Sequence, residues 1–211
     1  MSVRQTHHST PKTMPFPPTP HDDALAGLAS GLRQGEQDVL GAWYEAAYPG
    51  VLRLCRGFLG PAAAGTADDV AQDAMLRLVD QIERWDPTRP YGGWERTVVL
   101  NVARNHLRAT SRRNEHESAA GALGSIGPAG LPDPADAASA KEVGALVQRC
   151  LGLLTARERE AFVLVDLEGL TAKAAAEVMG VAASNVRAVL SLARRRLKEA
   201  LAPHLAEGGL A

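Results

Sequence analysis

At 211 residues the chain can hold one large domain or two small ones, and its net charge is only −1. That balance excludes a coat that binds nucleic acid by bulk positive charge, so any DNA affinity must come from local clusters. Hydrophobic residues make up 45% but aromatics only 4%, with Ala and Leu dominant and no sustained alternation of Val, Ile, Thr and aromatics. This composition predicts an all-α fold. No apolar run approaches the ~20 residues of a membrane span, and the N-terminus has no continuous secretory apolar core. A cytoplasmic location without membrane insertion is expected. Cys55 and Cys150 lie at apolar positions of predicted helices and read as small buried hydrophobes rather than a disulfide or metal pair.

Residues 1–22 form the first segment, rich in Pro, Thr and His, and are expected to be a disordered tail. His7 and His8 have no Cys or acidic partners nearby and read as a solvated pair. Residues 23–114 form a first helical block. Ala24 to Leu32 and Val39 to Leu59 predict helices around the Gln34-Gly35-Glu36 break, with Pro49 starting a new one. Thr66-Ala67-Asp68-Asp69 then opens an amphipathic helix to about Arg84, with Thr66 or Asp68 able to cap it. Its stripe is Val70, Ala74, Leu78 and Ile82, joined by Ala71, Met75 and Val79. Asp69, Gln72, Asp73, Asp80 and Glu83 lie off that stripe as an acidic outer face. The run from Trp85 to Gly93 is crowded with Pro and Gly and must be a loop. A second long helix follows from about Trp94 to Arg113, with Val98, Val102 and Leu107 apolar. Its charges after Glu95 are all positive: Arg96, Arg104, Arg108, Arg112 and Arg113. An acidic helix followed by a basic one points to two partners on two faces.

Residues 115–140 have the Gly, Ala, Ser and Pro composition of a flexible linker and carry acids but no Lys or Arg before Lys141. Residues 141–205 form a second helical block. Lys141 to Leu154 and Thr155 to Glu168 predict two helices, the latter with Thr155 and Glu158 spaced for a capping box. Leu170 to Lys198 then holds two apolar-periodic segments around Gly180, which can take the left-handed conformation that ends a helix tightly. This predicts a helix-turn-helix, whose second helix usually enters the DNA major groove. On that helix Val186, Leu190, Ala193 and Leu197 share one stripe. Ser184, Asn185, Arg187, Ser191, Arg194 and Arg195 fall largely off it, and no acid stands between Val181 and Lys198.

Two segments together resemble bacterial RNA polymerase sigma factors of the compact extracytoplasmic-function type, within the sigma-70 family. The first is Ala67-Asp68-Asp69-Val70-Ala71-Gln72-Asp73 with Arg84-Trp85-Asp86-Pro87, Arg89-Pro90-Tyr91, Trp94, Asn101, Asn105, His106, Leu107 and Arg108. It resembles the family's core-binding and −10-reading domain. The second, Leu153 through Leu197, resembles the −35-reading domain. The resemblance implies two small helical domains joined by a flexible linker, the C-terminal one a helix-turn-helix. It implies that Asp69, Gln72 and Asp73 face the clamp coiled coil of the largest subunit of core polymerase. Tyr91 and Trp94 would flank the loop that captures an unstacked −10 base, and Asn101, Asn105 and Arg108 would lie on promoter DNA. Ser184, Asn185, Arg187, Ser191, Arg194 and Arg195 would serve the −35 element. An anti-sigma partner is implied too, with no cofactor, no metal and no catalytic residue.

The chain departs from the family's pattern at several points. Asn105 stands where Asp is usual, Ala174 where a larger apolar residue is, and Val189 and Leu192 where basic residues are frequent. Ala182 replaces a common capping Ser, a loss of ~1 kcal/mol at the recognition helix unless another group caps it. Two rivals differ in their consequences. A helix-turn-helix regulator with an N-terminal sensing block would dimerise and bind operators without polymerase. A helical metal-dependent enzyme using Asp68, Asp69 and Asp73 would turn over substrate alone, but no Glu-x-x-His partner supports it.

Overall fold

A computed structural model describes residues 20–36, 38–119 and 140–207, and among these there are helices and no strands. The expected tail lies almost wholly outside the described residues, as does most of the expected linker. In chain order the helices are α1 Pro20–Arg33, α2 Val39–Leu59, α3 Ala67–Asp80, α4 Tyr91–Ala119, α5 Ala140–Gly152, α6 Ala156–Phe162, α7 Ala172–Met179 and α8 Ala183–Glu207. A 3-10 segment, Pro61–Thr66, leads into α3, and a π-helical turn, Val163–Leu167, extends α6.

Helix α2 passes through Pro49 without a break, where a new helix start was expected. Proline removes one backbone hydrogen bond, but Ala47, Val51, Leu54 and Phe58 are all buried on both sides of it. Tertiary burial holds the segment in one helix. Helix α4 runs six residues past the expected Arg113 and begins three earlier, at Tyr91. In α3 the stripe Val70, Ala74 and Leu78 is buried as its spacing predicts, together with Ala71 and Met75; the helix ends at Asp80 rather than near Arg84, and Ile82 is buried on the 3-10 turn Ile82–Arg84 that follows. Val79 departs from that pattern and is 37% exposed. Thr66 sits at the N-cap of α3 but does not cap it, because its hydroxyl donates to the Ala63 carbonyl at 2.9 Å and meets His106 Nε2 at 3.1 Å.

Helices α1 to α4 pack as one bundle and α6 to α8 as another, while α5 lies against α2 and the 3-10 segment Pro61–Thr66. The two bundles share a continuous apolar core, since α4 lies against α7 and α2 against α6. Cys55 is fully buried in that core and its thiol is pushed up to about 12 by desolvation, whereas Cys150 is half-buried; both are free thiols. Among the described residues no single helix is long and apolar enough to cross a membrane.

Candidate polymerase and nucleic-acid interfaces

Burial of the α3 stripe forces its other face outward. Asp69, Gln72 and Asp73 are exposed, and Leu76 continues the same face at 71% exposure. Spacings of three and four place these four side chains on one surface. Leu76 escaped the sequence reading because an isolated Leu beside a strong stripe is assigned to the core by default. Asp68 is turned away toward α2, where it accepts from the Tyr48 hydroxyl at 3.3 Å and pairs with Arg56 at 3.6 Å. Burial first, and Asp68 second, raise the Tyr48 hydroxyl above its usual range. Among the described residues no three His, Cys, Asp or Glu side chains converge as metal ligands would. A groove of about 580 Å³ between α3 and α4, lined by Asp73, Leu76, Asp80, Asn105 and His106 among others, connects the acidic face to the next surface.

The aromatic loop folds inward. Trp43 is fully buried and its Nε1 donates to the Tyr91 hydroxyl at 3.0 Å. The Tyr91 ring meets Trp85 edge-on at 5.3 Å and Trp94 at 5.6 Å. Tyr91 is only 2% exposed, so it offers no face to a base, contrary to the expectation from the resemblance. An aromatic at a helix start looks available in sequence, but here its hydroxyl satisfies a buried indole. Trp94 is half-buried on top of Tyr91 and keeps part of its ring at the surface. Asn101, Asn105 and Arg108 are exposed along α4, and Arg108 Nη1 donates to Asn105 Oδ1 at 3.3 Å.

The arginines of α4 do not share one face. Arg108, Arg112 and Arg113 reach solvent, whereas the Arg96 and Arg104 side chains are 14% and 16% exposed. Arg104 binds Glu160 of α6 through both carboxylate oxygens at 2.8 and 2.7 Å. Arg96 lies near Asp22 at 3.9 Å and Glu168 at 3.4 Å, and Arg53 reaches Glu168 at 3.0 Å.

Beneath this cluster Glu95 is buried, with no hydrogen-bond partner on its Oε1. Desolvation pushes its carboxyl up from 4.5 to about 7, with Arg96 and Arg53 opposing and Asp22 and Glu168 reinforcing the shift. A raised acid means that the native state holds a proton the unfolded chain has lost between these two values. Stability therefore falls as pH rises from 4.5 to about 7, and the full penalty persists above it. That shift corresponds to about 3 kcal/mol. Glu95→Gln is expected to recover much of this at pH 8 and to flatten the profile. Urea unfolding at pH 5 and pH 8 checks it, and an unchanged pH dependence in the variant sinks the assignment.

The second bundle is built from strong local signals. Thr155 and Glu158 form the capping box, with Thr155 N donating to Glu158 Oε2 at 2.8 Å and Glu158 N to Thr155 Oγ1 at 3.4 Å. Thr171 Oγ1 caps α7 by accepting from Ala174 N at 3.1 Å. Gly180 takes φ 68° and ψ 39°, and the Val181 and Gly180 N–H groups close onto the Ala176 and Glu177 carbonyls. These two bonds end α7 in a Schellman turn that only a residue tolerant of the left-handed region adopts readily. Helix α8 then starts without a side-chain acceptor at Ala182, whose carbonyl receives the Asn185 and Val186 N–H groups.

Val186, Leu190, Ala193 and Leu197 are all buried, as their spacing predicts. Ser184, Asn185, Arg187, Ser191, Arg194 and Arg195 are exposed. Arg187 makes no ion pair among the described residues, whereas Arg194 is clamped by Asp166, with Nε at 3.1 Å. Arg195 lies 3.9 Å from Glu199. Among the described residues Arg187 is thus a cation without an ion pair in the first turns of the recognition helix, and Lys198 is another near its far end. Ala174 is fully buried and Leu192 is 44% exposed, so two of the departures fall on opposite surfaces of the motif.

Comparison with known proteins agrees with this geometry. A family model described as sigma-70 region 2 matches residues 43–113, and one described as sigma-70, region 4 matches residues 145–197. The chain is 28% identical over 185 residues to RNA polymerase sigma factor CnrH of Cupriavidus metallidurans, covering 85% of this chain and 95% of that protein. It is 26% identical over 194 residues to ECF RNA polymerase sigma factor SigE of Mycolicibacterium smegmatis, covering 88% and 71%. With the ferric citrate uptake sigma factor FecI of Escherichia coli it shares 32% over 126 residues, 59% of this chain and 70% of FecI. Among solved structures, CnrH in complex with the cytosolic domain of CnrY superposes with a TM-score of 0.61 at 24% identity, over 86% of this chain and 99% of that one. The sigma factor RpoE of Bartonella quintana in complex with the anti-sigma factor NepR gives 0.57 at 19%, over 75% and 93%. These two likenesses show the all-helical fold. With both regions matched in order and relatives of this identity covered over most of their length, the chain belongs to the sigma-70 family, as an RNA polymerase sigma factor of the extracytoplasmic-function type.

Proposed function

We propose that residues 23–114 dock on core polymerase and read the −10 element, and that residues 141–205 read the −35 element. The observation that carries this is the division of exposed surfaces. An acidic face on α3 (Asp69, Gln72, Asp73) lies beside a polar face on α4 (Asn101, Asn105, Arg108), and a basic recognition helix stands apart. The acidic face suits the basic clamp coiled coil of the largest subunit, and Leu76 adds apolar contact to it. Trp94 supplies a ring for a flipped base, with Tyr91 as its buried support. Ser184, Asn185, Arg187, Ser191 and Arg195 face the −35 duplex, and Arg194 joins them when Asp166 releases it. The chain itself carries no chemistry and acts in the cytoplasm, where polymerase is. An anti-sigma factor holds it in check, a reading supported by two relatives of the same fold that were solved with CnrY and NepR.

Reconstituted transcription with bacterial core polymerase on random promoter fragments tests the reading. Specific initiation that depends on this chain is expected; operator binding by a dimer without polymerase would replace it with a conventional regulator. On a selected promoter, Arg187→Ala is expected to lose ~1–3 kcal/mol of −35 affinity and one position of base preference. A pre-melted −10 bubble should not rescue it. Asn101→Ala should be rescued by that bubble when its role is melting. Footprinting and open-complex yield on duplex and bubble templates measure both, and unaltered −35 protection by the Arg187→Ala protein removes α8 from the DNA.

A further inference from the structure

We propose that Leu192 packs on the C5-methyl group of a thymine in the −35 element, so that this leucine sets one A·T pair of the promoter. This rests on the reading of α8 as the −35 recognition helix and names a base that it reads. A large apolar side chain in solvent is ordinary when it stands singly. Its place on α8 sets this one apart. The core stripe of the helix is complete without it, since Val186, Leu190, Ala193 and Leu197 are buried. At about 3.6 residues per turn, each position advances the helix by about 100°. Ala188 and Arg195 then lie about 170° from the centre of the buried stripe, and Ser191 and Leu192 about 130°. All four are exposed, Leu192 at 44%. Leu192 thus stands on the surface that a duplex meets, beside Ser191 and Arg195. Val189, the other apolar residue where a basic one is frequent, is half-buried and packs on the core instead.

The surroundings select the partner. No acid stands between Val181 and Lys198, whereas Arg187, Arg194, Arg195 and Arg196 all do. An apolar protein partner would have to desolvate these cations without supplying anions for them. Duplex DNA supplies the anions in its phosphates, and its major groove carries one apolar group, the thymine methyl. The position along the helix fits the same partner. A recognition helix contacts base edges with its N-terminal residues, so its early turns lie deepest. Ala188 is in the second turn of α8, where a small side chain lets the backbone come close. Leu192 follows one turn later, about 6 Å further along the axis. Its longer side chain spans the distance that opens as the helix rises from the groove floor. A cation at this place would find a phosphate, which fixes register but carries no sequence information. Leucine exchanges that uniform contact for one made to a single base.

The test uses holoenzyme reconstituted from the full chain and core polymerase, on a selected promoter whose −10 region is pre-melted so that affinity reports the −35 contact. Each thymine of the −35 element, on either strand, is replaced in turn by deoxyuridine. This removes the methyl and leaves every hydrogen bond of the base pair in place. At one position the wild type should bind about 3- to 5-fold more weakly, the worth of one buried methyl. In Leu192→Ala that replacement should make no difference. Leu192→Arg should also be indifferent to the methyl, and its plot of log affinity against log salt should steepen by about one unit, reporting a gained phosphate contact. Both changes are at an exposed position and should leave the urea midpoint where it is. Wild-type protection of −35 with no thymine whose methyl effect vanishes in Leu192→Ala overturns this inference and leaves α8 as the reader. Absence of −35 protection by the wild type overturns the inference and the reading together. A free-chain dimer that Leu192→Ala dissociates, seen by light scattering alongside a flat uracil scan, assigns the leucine to a second copy of the chain and likewise overturns the thymine contact.

Discussion

Asp69→Lys combined with Asp73→Lys is expected to abolish co-purification with core polymerase while leaving helix content essentially unchanged. Both carboxylates are exposed on α3 and neither makes an ion pair among the described residues, so no internal contact is lost. Lysine is at least as good a helix former as aspartate. The one local penalty is at Asp69, in the first turn, where an acid favours the helix dipole by ~0.3–1 kcal/mol. The effect on binding is far larger, because the double change removes two negative charges and adds two positive ones, a net shift of about four, on the surface proposed to meet a basic coiled coil. Like charges brought together across an interface cost several kcal/mol. Affinity capture with tagged core, paired with circular dichroism, measures both sides. Wild-type recovery of the double variant would remove α3 from the polymerase interface. Leu76→Ser, on the same face, is expected to weaken binding more mildly and to leave stability unchanged, since Leu76 is 71% exposed.

The second large effect is on stability. Trp43→Ala should destabilise the chain by about 3–5 kcal/mol through lost burial and the cavity left behind. The Tyr91 hydroxyl would in addition lose the buried indole N–H that donates to it. Against a typical total of about 5–15 kcal/mol, that is a substantial fraction of the fold. Trp43→Phe keeps a ring in place and should cost much less, chiefly the hydrogen bond. Because Trp94 rests on Tyr91, which rests on Trp43, Trp43→Phe should also impair −10 melting more than −35 binding. Urea unfolding at fixed pH compares the variants, and a change under about 1 kcal/mol for Trp43→Ala would refute the central place given to this indole.

What could be read from the residues alone were features closed within a few positions of one another. The α3 stripe at Val70, Ala74 and Leu78 and the α8 stripe at Val186, Leu190, Ala193 and Leu197 follow from helical spacing. The Thr155–Glu158 capping box and the left-handed Gly180 follow from hydrogen bonds that span three to five residues. Such features need no knowledge of the rest of the chain, and they sufficed for the all-helical class and the helix-turn-helix. Tertiary structure alone decided which charges are free. Arg104 and Arg108 are equivalent in the sequence, one turn apart on a basic helix. Yet Arg104 is spent on Glu160, 56 residues away, and Arg108 is left in solvent. Arg53 and Glu168 meet across 115 residues, and Tyr91 is buried because Trp43, 48 residues earlier, needs an acceptor. An ion pair or a buried indole is satisfied by whichever partner the packing brings within about 3 Å, and that proximity carries no periodic trace in the local sequence.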